Sequence, residues 1–376
     1  MEHWAQIWHQ AITKSFMDGK GFGKNKTIIF QVRSVVDARK LRIKFSNRYG
    51  SSEYHIGAMK IKCGNQIHTI QKENREVFSI PCGEYSYSDE IDIEIAAGDT
   101  IEIRMYYLDY ILDNNMIVEE AILCAGNCTD KIGQPEEMKK PFLAKLLGAY
   151  NGIPTIEAVE VYTEQPAKAI VAFGDSITAQ GRWTNPLAER LEKKYKGEYV
   201  LLNSGISGNC LLYEPEGIFG PVFGQKGIDR FERDVWNIPN LHTVVIALGV
   251  NDVSYFNDDT KEQINLESFC REITDITDRL HEKGVRVVMQ TITPRMGVAR
   301  TMGKYSQEME NQRLRYNEWI RSCGIFDYVY DAEHIVKEEH EDGIYFKEGW
   351  HAGDHLHPNK IGGNELAKGF ELEQMV

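Results

Sequence analysis

The stretch IVAFGDSIT at residues 170–178 is the segment from which the fold can be inferred, because its apolar run breaks into Gly-Asp-Ser before helix-compatible sequence resumes. An apolar run of this length suits a buried parallel strand, and Gly174 permits a tight turn after it. Ser176 then falls where the next helix begins, so its hydroxyl would project from the carboxyl end of the strand. Taken alone, the motif is typical of any strand-to-helix junction at which a serine caps the helix.

Three further segments combine a loop with polar side chains at positions that suit a catalytic site. An apolar strand at 199–202 runs into NSGISGN at 203–209, and another at 244–248 runs into GVND at 249–252. Near the C-terminus, DHLHPN at 354–359 places a carboxylate three residues before a histidine and then a proline. Because the ligand crevice of an open parallel sheet lies at the carboxyl ends of its strands, these loops are expected to meet there.

These segments supply the groups that a serine nucleophile requires. A serine hydroxyl is weak at neutral pH and needs a base, for which His357 is the candidate, with Asp354 as the nearest acceptor to fix the histidine tautomer. Negative charge on a carbonyl oxygen needs donors, such as the backbone N–H groups of Ser176 and Gly208 and the side-chain amide of Asn251. Each residue alone has an ordinary role as a turn or cap residue, and their combination favours a hydrolase.

Together the four segments resemble the SGNH, or GDSL, hydrolases, which take Ser, Gly, Asn and His from four separate blocks in this order. The resemblance covers roughly residues 166–376. It implies a flavodoxin-like α/β domain with a parallel sheet, no cofactor and no metal. The site residues that it implies are Ser176 as nucleophile, His357 as base, Asp354 as the carboxylate that orients His357, and Ser176, Gly208 and Asn251 as oxyanion donors.

Two other chemistries compete with this interpretation. The residues that would form a metal site are His351, Asp354, His355 and His357. A glycine inside this segment and a proline after it favour a loop, in which the helical His-x-x-x-His pattern of zinc proteases would not form. The α/β-hydrolases also use a serine on a strand-to-helix turn, but their Gly-x-Ser-x-Gly signature is absent around Ser176. The adjacent Asp175 is expected to have a buried structural role, because it points to the opposite face from Ser176.

The first part of the chain has a different pattern from the rest. Segments such as 91–95 and 101–105 alternate apolar and polar residues, which is typical of half-buried antiparallel strands. Residues 1–165 are therefore predicted to form a jelly-roll-like β-sandwich, and residues 166–376 to form the α/β hydrolase domain.

Buried strands alternate with amphipathic helices in the second part, which favours a parallel sheet. A helix that ends before Gly284 is predicted to bury Ile264, Phe269, Ile273, Ile276 and Leu280 on one face. Two further strands are predicted, at residues 285–289 and 326–331.

The net charge of −13 argues against nucleic-acid and anionic-membrane partners, which need a basic surface. No apolar run is long enough to span a bilayer, and the N-terminus lacks the basic and apolar regions of a secretory signal. We therefore expect a cytoplasmic protein. Seven scattered cysteines do not form a disulfide pattern. The sequence does not specify the oligomeric state.

A β-sandwich before such a hydrolase domain is similar to the arrangement in several carbohydrate esterases, and residues 41–57 resemble GDSL proteins related to xylan acetylesterases. The resemblance implies a serine esterase that removes a short acyl group, acetyl, from a small-molecule or oligosaccharide ester through an acyl-enzyme on Ser176. Two alternatives stay open. One is a thioesterase or lipase-like esterase on another small ester, and the other is a catalytically inactive sugar-binding protein.

Several side chains are candidates for substrate contact. The loop at 211–234, with Phe219 and Phe223, is expected to form a wall of the pocket because it is long and aromatic. The other candidates in the hydrolase domain are Trp183, Arg230, Arg233 and Trp350. In the sandwich, aromatic residues that would either stack on sugars or fill the core are Tyr85, Tyr87, Tyr106 and Tyr107.

Overall fold

The computed structural model describes residues 3–14, 23–114, 121–131, 155–214, 220–254, 266–298 and 305–376. The chain divides into two compact units, the first built mainly from residues before 169 and the second mainly from residue 169 onward. In the described part of the chain, no helix has the length and apolarity needed to cross a membrane.

The first unit is a β-sandwich of two antiparallel sheets, in agreement with the sequence pattern. One sheet contains, in spatial order, β1 (His3–His9), β13 (Ile156–Thr163), β4 (Ala38–Ser46) and β8 (Tyr85–Tyr87), with β9 (Ile91–Ile95) also paired to β4. The other contains β12 (Ile122–Ala125), β3 (Lys26–Arg33), β10 (Thr100–Tyr107), β5 (Tyr54–Cys63) and β6 (Gln66–Thr69), with β7 (Phe78–Ile80) paired to β5. A short separate pair joins β2 (Thr13–Lys14) to β11 (Asp113–Asn114).

The alternating residues of these strands create the core of the sandwich. In β4, Leu41, Ile43 and Phe45 are fully buried, while the intervening residues carry charges. The ring of Phe45 lies 5.6 Å from that of Phe78 on β7, which brings apolar side chains of the two sheets together. Alternation along each strand therefore produces one buried face per sheet.

A five-stranded parallel sheet follows, in the order 2-1-3-4-5 of flavodoxin-like folds. Its strands, in spatial order, are β15 (Tyr199–Gly205), β14 (Lys168–Gly174), β16 (Leu241–Ala247), β17 (Arg286–Gln290) and β18 (Tyr328–Tyr330). The described pairs β14–β16, β16–β17 and β17–β18 are all parallel. An antiparallel hairpin is formed by β19 (Lys337–His340) and β20 (Gly343–Phe346).

The described helices of this part include one that begins at Ser176 and one that ends before Gly284, both expected from the sequence. The helices are α1 (Ser176–Ala179), α2 (Thr184–Tyr195), α3 (Gly227–Phe231), α4 (Leu266–Glu282), α5 (Gln307–Ser322), α6 (Ala332–Val336), α7 (Lys360–Gly369) and α8 (Leu372–Met375). The predicted apolar face of α4 is confirmed for Phe269, Ile273, Ile276 and Leu280, which are buried. Ile264 lies outside the described residues.

Candidate active site

Ser176 is the first residue of α1 and lies two residues after the end of β14 at Gly174, at the strand-to-helix junction that the sequence predicted. Asp175 is the N-cap of this helix, and its Oδ1 accepts a hydrogen bond of 2.9 Å from the backbone N–H of Ile177. Asp175 is 2% exposed. The predicted buried structural role of Asp175 is confirmed, and the cap fixes the turn that presents Ser176.

Ser176, His357 and Asp354 form a continuous hydrogen-bonded chain. His357 Nε2 lies 2.8 Å from Ser176 Oγ, and His357 Nδ1 lies 2.6 Å from Asp354 Oδ2. Asp354 Oδ1 also accepts from the backbone N–H groups of Leu356 and His357, at 3.1 and 3.0 Å. These bonds fix the carboxylate relative to the ring, so that Nδ1–H donates to Asp354 and Nε2 faces the serine hydroxyl.

Asp354 is held in its ionised form. Partial burial alone would raise the pKa of this carboxyl, but the hydrogen bond and charge of His357 and the backbone donors lower the pKa to about 2. An ionised acceptor beside Nδ1 stabilises the positive charge that the imidazole gains when it takes a proton.

Gly208 and Asn251 come from two neighbouring loops that are hydrogen-bonded to each other. Gly208 has a φ of +72°, in the left-handed region that favours glycine. The Asn251 side-chain Nδ2 donates to the carbonyl oxygen of the next residue, Asn209, at 3.0 Å. Arg295 Nη1 lies 3.4 Å from Asn251 Oδ1. Arginine can only donate hydrogen bonds, so the amide atom that faces Arg295 is the oxygen. The Nδ2 group of Asn251 therefore points to the other side, toward Asn209.

Gly205 allows β15 to end close to the nucleophile turn. A Cβ at this position would lie 2.4 Å from the backbone nitrogen of Ala179 and 3.0 Å from the carbonyl oxygen of Asp175. Any larger residue would therefore push apart the segments that carry Ser176 and Gly208. This close approach explains the first glycine of the NSGISGN segment.

Arg230 does not contact substrate as the sequence suggested, because it is completely buried. Its guanidinium donates to the carbonyl oxygens of Gly174 and Ser204 and to Asn209 Oδ1, each at 2.9 Å. It also pairs with Asp234 Oδ2 at 3.2 Å. Arg230 therefore ties together the ends of two strands and the loop that contains Gly208.

The other side chains that the sequence suggested for substrate contact pack against, or form ion pairs with, residues of the protein itself. Trp183 is 1% exposed and stacks on Phe370 with a ring separation of 5.4 Å, so its predicted contact with substrate is wrong. Arg233 pairs with Asp234 at 2.5 Å. Trp350 is partly buried beneath the Lys347 ammonium, 4.2 Å from its ring centre.

The predicted pocket loop is described only in part. Phe219 lies outside the described residues, whereas Phe223 is partly buried at the end of a short 3₁₀ helix.

Two buried carboxyls lie behind the loops. Burial raises the pKa of Asp175 to about 7, and the nearby charge of Asp252 raises it further. The backbone N–H of Ile177 and the positive charges of Arg295 and Arg230 lower this pKa, but by less. Burial raises the pKa of Asp252 to about 6, against hydrogen bonds from the backbone of Leu211 and others. Both carboxyls therefore cost free energy when they ionise, which favours a structural role.

Of the four metal ligands considered from the sequence, His351 and His355 come together, and they are joined by Glu348, which the sequence analysis did not name. Glu348, His351 and His355 have ligand atoms within 4.8 Å of one another, whereas Asp354 and His357 bond to each other. The segment is a loop, as the sequence predicted, and His355 has a positive φ of 58°.

Arg295 was not identified from the sequence. It follows β17 at the carboxyl edge of the parallel sheet, and its position after that strand was the one signal that pointed to it. The segment before it is anchored by Asn317, which exchanges hydrogen bonds with both the N–H and the C=O of Ile292, and by Arg313, which donates to the same carbonyl at 2.9 Å. A sequence pattern does not reveal such long-range contacts.

Comparison with known proteins identifies the family. The model of the GDSL-like lipase/acylhydrolase family matches residues 172–363, which include all the predicted site residues. The chain belongs to this family, and it is an ester hydrolase with an α/β domain preceded by a β-sandwich. No match was found among curated protein sequences.

Solved structures similar to this chain include GDSL proteins and acetyl xylan esterases. A GDSL-like lipase from Bacteroides thetaiotaomicron is 18% identical, with 56% of this chain and 90% of that chain covered and a TM-score of 0.40. An acetyl xylan esterase from Geobacillus stearothermophilus is 18% identical, with 55% and 94% covered and a TM-score of 0.41.

Proposed function

We propose that this protein is a serine esterase that removes short acyl groups, acetyl above all, from carbohydrate through an acyl-enzyme on Ser176. The observation that carries the proposal is the chain of hydrogen bonds from Ser176 Oγ through His357 to Asp354, at 2.8 and 2.6 Å. This is the arrangement that activates a serine hydroxyl, and it lies at the carboxyl edge of a parallel sheet.

In the first half-reaction, Ser176 Oγ attacks the ester carbonyl carbon while its proton moves to His357 Nε2. Asp354 stays ionised and stabilises the imidazolium that forms. Collapse of the tetrahedral intermediate breaks the bond to the leaving alcohol, which takes the proton from Nε2. In the second half-reaction, water loses a proton to the same nitrogen, attacks the acyl-enzyme and releases the carboxylic acid and Ser176.

The oxyanion of each tetrahedral intermediate accepts from the N–H groups of Ser176 and Gly208 and from Asn251 Nδ2. Support comes from the bond between Asn251 and Asn209, which leaves a second Nδ2 hydrogen for the substrate, and from the donor contact of Arg295 to Asn251 Oδ1. Each such donor contributes about 3 to 4 kcal/mol of transition-state stabilisation.

Carbohydrate as the substrate class is supported by aromatic residues on the sandwich. The Arg42 guanidinium lies 4.1 Å from the ring centre of Trp4 and 4.2 Å from that of Tyr87. Tyr85, 56% exposed, extends this row with its ring 6.2 Å from that of Tyr87. Trp4 and Tyr87 are partly buried and Tyr85 is exposed, and aromatic rings beside hydrogen-bonding groups are suited to the apolar faces and hydroxyls of sugars. Tyr107 is fully buried and belongs to the core.

A groove beside this row also suits a neutral sugar chain. It has a volume of about 480 Å³ and is bordered by Tyr162, whose ring lies 5.4 Å from that of Trp4. Both signs of charge line the groove, which is bordered by Arg39 and Lys40 and by Asp92 and Glu94. A balanced lining offers hydrogen bonds without favouring an anion or a cation.

A fluorophosphonate probe and nitrophenyl acetate test the serine mechanism. Wild-type protein should be labelled and active, Ser176→Ala should be neither, and the matched control Ser322→Ala on the last turn of α5 should behave as wild type. Labelling of Ser176→Ala at the wild-type rate would contradict the proposal.

The acyl group and the substrate class need separate measurements. Across acetyl, butyryl and octanoyl nitrophenyl esters, kcat/KM should be highest for acetyl, because the partly described loop at 211–234 is rich in bulky side chains that would crowd longer chains. A maximum at octanoyl would favour the lipase-like alternative. Release of acetate from acetylated oligosaccharides, compared with acetyl thioesters, distinguishes a carbohydrate esterase from a thioesterase.

A further inference from the structure

The loop that carries Asp354 and His357 starts at His351, a side chain that the proposed reaction does not use. His351 is 7% exposed and forms an antiparallel bridge with Pro358, so it closes the loop at its base. Its ring lies 4.2 Å from that of His355 and 6.2 Å from that of Phe346. The ring is therefore held in place on several sides.

The hydrogen bonds of His351 determine its tautomer. Nδ1 lies 3.0 Å from the backbone nitrogen of Gly353 and 3.1 Å from that of His355, and both of these groups are donors. Nδ1 must therefore carry a lone pair, and the ring proton resides on Nε2, which lies 3.2 Å from Glu348 Oε2. In an imidazolium, Nδ1 would also carry a hydrogen, and this hydrogen would point at the N–H groups of Gly353 and His355. Three N–H groups directed at one another are incompatible with this loop conformation.

The two backbone groups that His351 binds lie on either side of Asp354. The next two backbone donors, from Leu356 and His357, bond to Asp354 Oδ1. His355, whose own N–H belongs to the first set, has a φ of +58°, in the left-handed region, which is unfavourable for a residue with a side chain. The bond from the His355 N–H to His351 helps to hold the chain in this strained conformation.

We propose that His351 is a positioning residue that acts through its Nδ1, holding residues 353–355 in the conformation that presents Asp354 Oδ2 to His357 Nδ1. This inference rests on the proposed serine mechanism. Without the acceptor, the segment around His355 relaxes and Asp354 shifts relative to His357. A displacement of about 1 Å in such a group can reduce turnover about a hundredfold.

The same bonds argue against a preformed metal site at Glu348, His351 and His355. A neutral imidazole that accepts two N–H bonds at Nδ1 has its proton on Nε2, so it cannot also offer Nε2 to a cation. A metal would have to displace this proton and leave an imidazolate. The histidine instead organises the loop.

Two substitutions in the full-length protein test the role of the acceptor. His351→Phe keeps a ring and removes the acceptor, whereas His351→Asn places an amide oxygen near the position of Nδ1. With nitrophenyl acetate, kcat of His351→Phe should fall about 10- to 100-fold while KM changes by less than about threefold, and His351→Asn should stay within about threefold of wild type. His281→Phe, which removes a histidine that lies 2.9 Å from Asp327, is the matched control and should leave activity unchanged.

Two outcomes would overturn the inference: a kcat of His351→Phe above half that of wild type, or equal losses in the two His351 variants. An inactive wild-type protein would instead contradict the proposed function, so the two failures are distinguishable.

A measurement on the unmodified protein tests the premise even if His351→Phe does not fold. In protein labelled with ¹⁵N-histidine, the His351 signals can be assigned by their loss in His351→Asn. They should report a proton on Nε2 and a lone pair on Nδ1 at neutral pH. A proton on Nδ1, in either the neutral or the charged ring, would overturn the proposal.

Discussion

At the scale of single residues, Ser176 and His357 share one proton path. Ser176→Ala removes the nucleophile and His357→Ala removes the group 2.8 Å away that takes its proton, so each should abolish ester turnover while the protein stays folded. Turnover of purified variants, with circular dichroism as the folding control, checks this. More than a few per cent of wild-type kcat in Ser176→Ala would exclude Ser176 as the nucleophile.

Asn251 should affect the transition state more than substrate binding. Asn251→Ala is expected to lower kcat about 100- to 1000-fold with a much smaller change in KM, because the amide donor matters most when charge develops on the substrate oxygen. Asn311→Ala, on the exposed side of α5, is the control. If KM rose while kcat stayed constant, Asn251 would be a substrate-binding residue.

The residues best predicted from the sequence are those with a local pattern. Ser176 follows an apolar run, and Asp354 and His357 lie three residues apart, so the sequence predicted that these three side chains meet, while their catalytic roles stay a prediction. Arg230 was identified but misinterpreted, because its partners lie at the ends of two distant strands. Sequence periodicity shows which face of an element is buried, but it does not show which buried cation meets which carbonyl group.

At the scale of elements, α3 connects the strand ends through Arg230. Arg230→Lys replaces a planar fork by a single ammonium, which cannot reach the carbonyl oxygens of Gly174 and Ser204 and Asn209 Oδ1 together. We expect a loss of about 3 to 5 kcal/mol in the free energy of unfolding, measured by urea denaturation. Arg271→Lys, on the exposed face of α4, should change it by less than about 0.5 kcal/mol. Equal stabilities of the two variants would contradict this role of Arg230.

The loop before α7 should function without a metal. The ring of His351 is engaged in bonds to backbone groups and Glu348, and that of His357 in bonds to Asp354 and Ser176, so EDTA should leave ester turnover unchanged. Turnover before and after extensive chelation, followed by addition of Zn²⁺, measures this. Loss on chelation with recovery on one divalent cation would favour the metal interpretation.

At the scale of the whole molecule, two architectures could be predicted from the sequence because the apolar residues follow a different pattern in each. Alternation in β4 and β10 indicated the sandwich, and apolar runs such as β14 and β16 indicated a parallel sheet. The strand order was implied by family resemblance and not by periodicity, because pairing depends on contacts between distant segments. The domain boundary between residues 165 and 166 stays a prediction.

The contribution of Asp175 to the free energy of unfolding should fall as pH rises from about 4 to about 7. Burial raises the pKa of Asp175 from its ordinary 3.8 to about 7 in the folded protein, so over this range the folded state keeps a proton that the unfolded state has lost. The stabilising contribution is therefore complete below the unfolded pKa and is lost as pH rises through the folded pKa. Asp252, with a folded pKa of about 6, acts in the same direction. Asp354, lowered to about 2, has its opposite effect below pH 4 and does not interfere.

Asp175→Asn isolates this contribution, because the amide oxygen can still accept from Ile177 N–H and no longer titrates. Between pH 4 and 7, the free energy of unfolding of wild type should decline more steeply than that of the variant, by up to about 1.4 kcal/mol per pH unit. Asp278→Asn, on the exposed side of α4, should leave the slope as in wild type. Urea denaturation of the three proteins at several pH values measures the slopes. Parallel curves for wild type and Asp175→Asn would mean that Asp175 is ionised throughout this range, with its charge stabilised by Arg230 and Arg295.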